Sequence, residues 1–186
     1  MKKNRCAWAE NEDMRQYHDQ EWGVQAHKDK KLFEFLVLEG AQAGLSWATI
    51  LKRRAGYKKA FKNFDPKKVA KFTKKDINRL LKDEGIIRNR LKVEATVNNA
   101  KRFLEVQKEF GSFDKYIWGF VNGKPIKNKF KKMSDLPATT ALSDKISQDM
   151  KRRGFKFVGP TIIYAHLQAT GMVNDHVISC FRYNEV

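Results

Sequence analysis

Cys6 and His18 stand near the start of the chain with eleven residues between them, and His176 and Cys180 stand four apart near its end. Two thiolates and two imidazoles make a complete tetrahedral zinc set with no vacant position, which suits a structural rather than a reacting metal. The last pair would share a face if 173–183 is helical, as the pattern predicts. The alternative is two inert buried cysteines and two ordinary histidines, since the two halves lie far apart in sequence.

A second candidate centre is the run Leu32 to Trp47. On a helix Glu39 shares its face with Leu32, Phe35, Leu36 and Ala43, whereas Glu34 points the opposite way and reads as a solvated acid. A carboxylate on an apolar face costs free energy unless partnered. It either bonds a buried amide or arginine, or waits in a pocket for a ligand. Gly40 and Gly44 fit a backbone that approaches something closely. Trp8, Tyr17, Trp22 and Trp47 crowd the same part of the sequence. Their default role is packing, but beside a suspect acid they suggest a slot for a flat heterocycle. A third feature, Gly154-Phe155-Lys156-Phe157-Val158-Gly159-Pro160-Thr161, reads as a tight hairpin opening a helix. Such a turn presents backbone N–H groups that bind phosphate without reading sequence.

These groups need elements to hold them, and the pattern is helical almost throughout. Helices are expected at 29–43, 46–62, a short one from Asp65-Pro66, one capped by Thr73 with Asp76, then Arg88 to Phe110, 113–121, 140–153, 161–170 and 173–183. In the long helix, Leu91, Ala95, Val97, Ala100, Phe103 and Leu104 are the expected buried side, and Gly111 ends it. Residues 120–136 are a loop-rich excursion, and no period-2 strand pattern persists. The 186 residues are expected to form one domain, or one core with a small appendage, and no apolar run comes near the ~20 residues of a membrane span.

The formal net charge is +17, and it is unevenly spread. Residues 51–102 hold 18 Lys/Arg against 5 Asp/Glu, and 124–156 hold 10 against 3. A chain this basic attracts polyanions, nucleic acid first. A membrane surface or RNA rests on charge alone. The acidic stretch Trp8-Ala9-Glu10-Asn11-Glu12-Asp13 argues against a signal peptide, so the chain reads as cytoplasmic, with cysteines that are thiols or ligands.

Tyr17-His18-Asp19, Glu21-Trp22-Gly23-Val24, Leu38-Glu39-Gly40, Gln42-Ala43-Gly44-Leu45-Ser46-Trp47, Gly85-Ile86-Ile87-Arg88, Gly154 to Gly159 and Asn174-Asp175-His176 resemble, in the same order, bacterial 3-methyladenine-DNA glycosylase I. The resemblance implies an all-α, helix-hairpin-helix glycosylase in one domain over 1–186, whose termini (about 1–25 and 172–186) are clipped by one structural zinc. By position the ligands are Cys6, His18, His176 and Cys180. It also implies a base-excision repair enzyme that acts on double-stranded alkylated DNA as a monomer, without strand cleavage. Glu39 would be the acid that hydrogen-bonds the alkylated adenine, Trp47 the main stacking ring, and Tyr17 and Trp22 further walls. Gln42 and Leu45 would sit at the DNA and fill the space of the extruded nucleotide, and the hairpin residues Phe157, Val158, Gly159 and Thr161 would hold the backbone. Met14 stands where family members often carry a further Tyr, and Phe157 where the wider hairpin pattern has Gly. Asp175 is a rival catalytic carboxylate, or else a support for the metal site. A non-catalytic, zinc-braced DNA-binding module is the competing class; it has no need of a buried acid beside stacking aromatics.

Overall fold

The computed structural model describes residues 3–186. Its centre is a helix that is apolar on every side. Here α1 is Glu12–Gln20, α2 Asp29–Gln42 and α3 Trp47–Ala60. Residues Leu32 to Ala41 of α2 are all buried except Glu34, so the helix must be covered all round. It touches α3, α6 (Arg90–Phe110), α7 (Phe113–Gly119) and α9 (Pro160–Ala169). Between them come α4 (Pro66–Val69), α5 (Lys74–Leu80) and α8 (Ala141–Arg152). Among the described residues no helix is long and apolar enough to cross a membrane.

Local signals set most boundaries. Asp65 caps α4 by accepting from the N–H groups of Lys67 and Lys68, with Pro66 at the first helical position. Thr73 and Asp76 form the reciprocal capping box at α5. Asn89 caps α6, and Gly111 ends it at φ +85°. Gly56 lets α3 meet the turn before α6: a Cβ there would lie 2.1 Å from the Gly85 carbonyl oxygen.

Four expectations change. Helix α1 was not anticipated, although Asn11 caps it and Glu12 and Asp13 fill its first turn. Residues 173–183 are not a helix. Val173–Asn174 pairs in parallel with Ile126–Lys127, two residues each, and only Phe181–Asn184 forms a 3-10 turn. Asn174 explains this: its Oδ1 accepts from the His176 N–H, and its Nδ2 donates to the carbonyls of Tyr183 and Val186. These side-chain bonds compete with a helical backbone. Leu91 is 66% exposed, because it lies opposite the stripe of Val93, Thr96, Val97, Ala100 and Phe103 that α6 buries. Glu34 is not solvated: it pairs with Arg54 at 2.7 Å and Lys31 at 3.3 Å.

Candidate active site

The two cysteines and two histidines meet. Cys6, His18, His176 and Cys180 are all buried, and one donor atom from each lies within 4.8 Å of the others. A turn in which the Cys180 N–H donates to the Val177 carbonyl, not a helix, brings the last pair together. The Cys180 Sγ is 3.4 Å from both His18 Nε2 and His176 Nδ1, and Cys6 Sγ is 3.6 Å from His176 Nδ1.

The second nitrogen of each ring is fixed. His18 Nδ1 lies 2.8 Å from Asp19 Oδ1, and Arg5 donates to both oxygens of that carboxylate. His176 Nε2 lies 3.0 Å from the Trp22 carbonyl oxygen. Oriented imidazoles backed by a carboxylate and a carbonyl are how proteins aim metal-binding histidines. The hydrogen bond between the two thiols holds Cys6 up and, with those from His176 and His18, pulls Cys180 down, so the pair shares one proton. The cluster could hold a metal ion, and its donors fit one.

Glu39 lies elsewhere, at the floor of a cavity of about 260 Å³. Trp8, Met14, Tyr17, Trp22, Gln42, Trp47, Met133, Leu136, Ala165 and Gln168 complete its lining. Glu39 is 4% exposed, and burial alone pushes its carboxyl up to about 8. No charge or hydrogen bond among the described residues offsets that burial. Tyr17 and Trp47 pack with ring centroids 5.1 Å apart and planes tilted by 51°, and Trp8 and Trp22 meet edge to face, also at 5.1 Å. The Trp47 Nε1 is buried without a partner. Burial and the neighbouring Glu39 raise the Tyr17 hydroxyl well above its usual range.

A smaller cavity of about 170 Å³ adjoins this one, sharing Glu39, Gln42 and Ala165. Ala43, Gly44, Leu45, Thr161 and Ile162 line the rest of it. Thus the α2–α3 turn and the start of α9 meet beside Glu39. Leu45 is 40% exposed, and Gln42 is the last residue of α2. Gly44 serves the turn at φ +75° with open space around it, and a Cβ on Gly40 would make only ordinary contact with Phe157 at 3.6 Å. Neither glycine marks a crowded approach.

In the hairpin Phe157 takes φ +52°, the left-handed conformation that glycine would adopt freely. Val158 has its side chain in the core and its carbonyl on Ser147 Oγ, so only its N–H remains available to a ligand. Gly159 caps α9 without a side-chain bond, which leaves the first-turn donors, Thr161 among them, facing outward. Asp175 is fully buried and does not line the cavity: Asn128, Gln168 and Tyr164 all donate to its carboxylate.

Sequence reasoning missed Met133, Leu136, Ala165 and Gln168 as lining residues. The first two come from the irregular excursion and carry no local signal. Ala165 and Gln168 are three apart on α9, one turn, a spacing that could have flagged them.

The sequence model of the methyladenine glycosylase family matches residues 8–183. DNA-3-methyladenine glycosylase 1 of Escherichia coli K12 is 46% identical over 180 residues, 96% of each chain. A crystal structure of 3-methyladenine DNA glycosylase I superposes with a TM-score of 0.93 at 44% identity, covering 96% of this chain and 98% of that one. The Staphylococcus aureus enzyme, solved for the structural basis of 3-methyladenine recognition, gives 0.92 at 40% identity over 96% and 95%. With matches of this identity running along nearly the whole length of both partners, the chain belongs to the methyladenine glycosylase family.

Proposed function

We propose that the protein is a DNA-3-methyladenine glycosylase, which extrudes the lesion from alkylated duplex DNA and hydrolyses its N-glycosidic bond. The observation that carries this reading is Glu39, a buried carboxyl without a partner at the floor of an aromatic cavity. A DNA-binding module would not keep such a group, because burying it costs several kcal/mol (about 2–7) and serves no phosphate contact.

Adenine methylated at N3 carries positive charge while attached to the sugar, so its glycosidic bond is weak without a strong acid. An enzyme must first take that base out of the stack. Trp47 supplies the ring that stacks on the base, with Tyr17 packed against it as a further wall of the cavity, and cation–π attraction favours the charged lesion over normal adenine. The Glu39 carboxylate accepts from the lesion's exocyclic amine and supplies negative potential as the sugar turns oxocarbenium-like. Water then adds its oxygen to C1′ and gives up a proton. The C1′–N9 pair leaves with the base, which departs neutral, and an abasic site remains.

Leu45 and Gln42 fill the vacated space, and the helix-hairpin-helix formed by α8, 153–159 and α9 holds a backbone phosphate through its N–H groups. One zinc held by Cys6, His18, His176 and Cys180 has a full ligand set, so it joins the two ends of the chain and takes no part in the chemistry. The protein acts as a cytoplasmic monomer.

Mass analysis of bases freed from methylated duplex DNA by the purified protein tests this directly. Release of 3-methyladenine by the parent and its loss in Glu39→Gln are expected. Tight DNA binding with no free base would favour the module instead.

A further inference from the structure

Helix α6 grips both loops that the glycosylase reading turns toward DNA, and it does so through two polar side chains seven residues apart. The Lys92 ammonium donates to the carbonyls of Ala41 at 2.8 Å and Ala43 at 2.6 Å. These lie at the C-terminal end of α2, where carbonyls lack intrahelical partners. Helix α2 has no basic residue in its own last turn, so α6 supplies the cation its dipole favours there. Burial holds the Lys92 ammonium below its ordinary pKa, which marks it as desolvated rather than a free surface lysine.

Asn99 grips the hairpin. Its Nδ2 donates to the Lys156 carbonyl and its Oδ1 accepts from the Lys156 N–H, both at 2.8 Å. Asn98 adds a 2.8 Å bond to the Gly154 carbonyl. The next residue, Phe157, is the one in a left-handed backbone that a bulky side chain avoids. A strained turn persists only where its surroundings over-determine it, and the two-way Asn99 pair does that here. Lys92 and Asn99 are nearly two helical turns apart, so they share a face at a separation of about 10 Å.

We infer that Lys92 and Asn99 are positioning residues for base extrusion, holding the α2–α3 turn with Leu45 at a fixed spacing from the 154–159 hairpin. This rests on the glycosylase reading. The spacing matters only while both loops engage one duplex. A free base enters the Glu39 cavity without either loop holding DNA, so its binding is the internal control.

The test compares the parent with Lys92→Met, Lys92→Arg, Asn99→Ala and the double variant Lys92→Met/Asn99→Ala. Two readouts are taken: single-turnover release of 3-methyladenine from methylated duplex, and binding of free 3-methyladenine by quenching of tryptophan fluorescence. Each single loss should slow duplex excision by about ten- to a hundredfold, the scale of an ångström-sized misplacement. Free-base affinity should fall far less than the duplex rate, since Gln42 beside the held carbonyls is only one of the cavity's lining residues. Lys92→Arg should recover most of the rate, and the double variant should be no slower than the worse single one. Unchanged duplex rates, or free-base binding that falls in step with excision, would overturn the inference while leaving the glycosylase reading intact. A parent that releases no base overturns both. Should Asn99→Ala fail to fold, the half-buried Lys92 pair of variants decides alone.

Discussion

Tyr17 and His18 are consecutive on α1 and face two different centres: the Tyr17 ring lies 5.1 Å from that of Trp47 in the cavity, while His18 Nε2 lies 3.4 Å from Cys180 Sγ. A metal held by His18 would therefore set the position of a cavity wall. Trp22 repeats the arrangement, since its ring lines the cavity and its carbonyl faces His176 Nε2. The Cys/His cluster and the cavity thus share α1 and the residues just after it.

Removing the metal should loosen the slot before it touches chemistry. Cys180→Ser, or chelation of the purified protein, should cost at least about 3 kcal/mol, a fall in Tm of roughly 6–12 °C for a chain of this size. Asp19→Asn removes the acid behind His18 and should weaken metal affinity by about 10–100-fold. Metal analysis beside a thermal melt checks both, and an unchanged Tm in metal-free protein would count against the clip.

Glu39 predicts a pH dependence with a definite sign. Burial pushes its carboxyl up to about 8 in the native protein from about 4.5 in the unfolded chain, so the native state holds the proton more tightly. Stability is then fully present below about 4.5 and is lost as pH rises toward 8. Glu39→Gln should abolish that loss and gain about 2–4 kcal/mol at pH 8, after discounting for water entering the cavity. In the parent, kcat/KM should climb with pH and level off above about 8, because the carboxylate is the form that accepts from the lesion. A flat profile, or a variant with parental excision, removes Glu39 from the mechanism.

Trp47→Ala should weaken binding of free 3-methyladenine by about ten- to a hundredfold, the worth of one stacked base. Trp47→Phe should retain most of the affinity. Tryptophan fluorescence titration distinguishes them. Parental affinity in Trp47→Ala would shift the stacking role to Tyr17, which lines the same cavity, and equal loss in both would assign the effect to the unpartnered Trp47 Nε1 rather than to stacking.

Helices were legible in the sequence where their caps and stripes are local. Asp65-Pro66, Thr73 with Asp76, and Gly111 each act on neighbours within a few residues, and the structure places those boundaries where the pattern does. The end of the chain was not legible, because Asn174 ties its own turn to Tyr183 and Val186 while residues distant in sequence take Asp175. Glu34 misled for the same reason: its partner Arg54 belongs to α3 and is twenty residues away. Within the site, Glu39 stood out as an acid on an apolar face, whereas Met133 and Leu136 arrive from an irregular segment that only tertiary packing brings near.

Asp175 and Glu39 should respond to amide substitution in opposite directions. Asp175 accepts from Asn128, Gln168 and Tyr164, so Asp175→Asn turns one acceptor into a donor facing a donor and should cost about 1–3 kcal/mol of stability. Glu39 has no such donors, so its amide should stabilise while excision is lost. Asp175 still reaches the site indirectly, because Gln168 both donates to it and lines the cavity. Asp175→Asn should therefore weaken free-base binding modestly and leave single-turnover excision by folded protein close to parental. Melting curves, base titration and single-turnover release on the two variants side by side separate the roles. A folded, metal-loaded Asp175→Asn protein that binds base normally yet cannot release it from DNA would make Asp175 the reacting carboxylate.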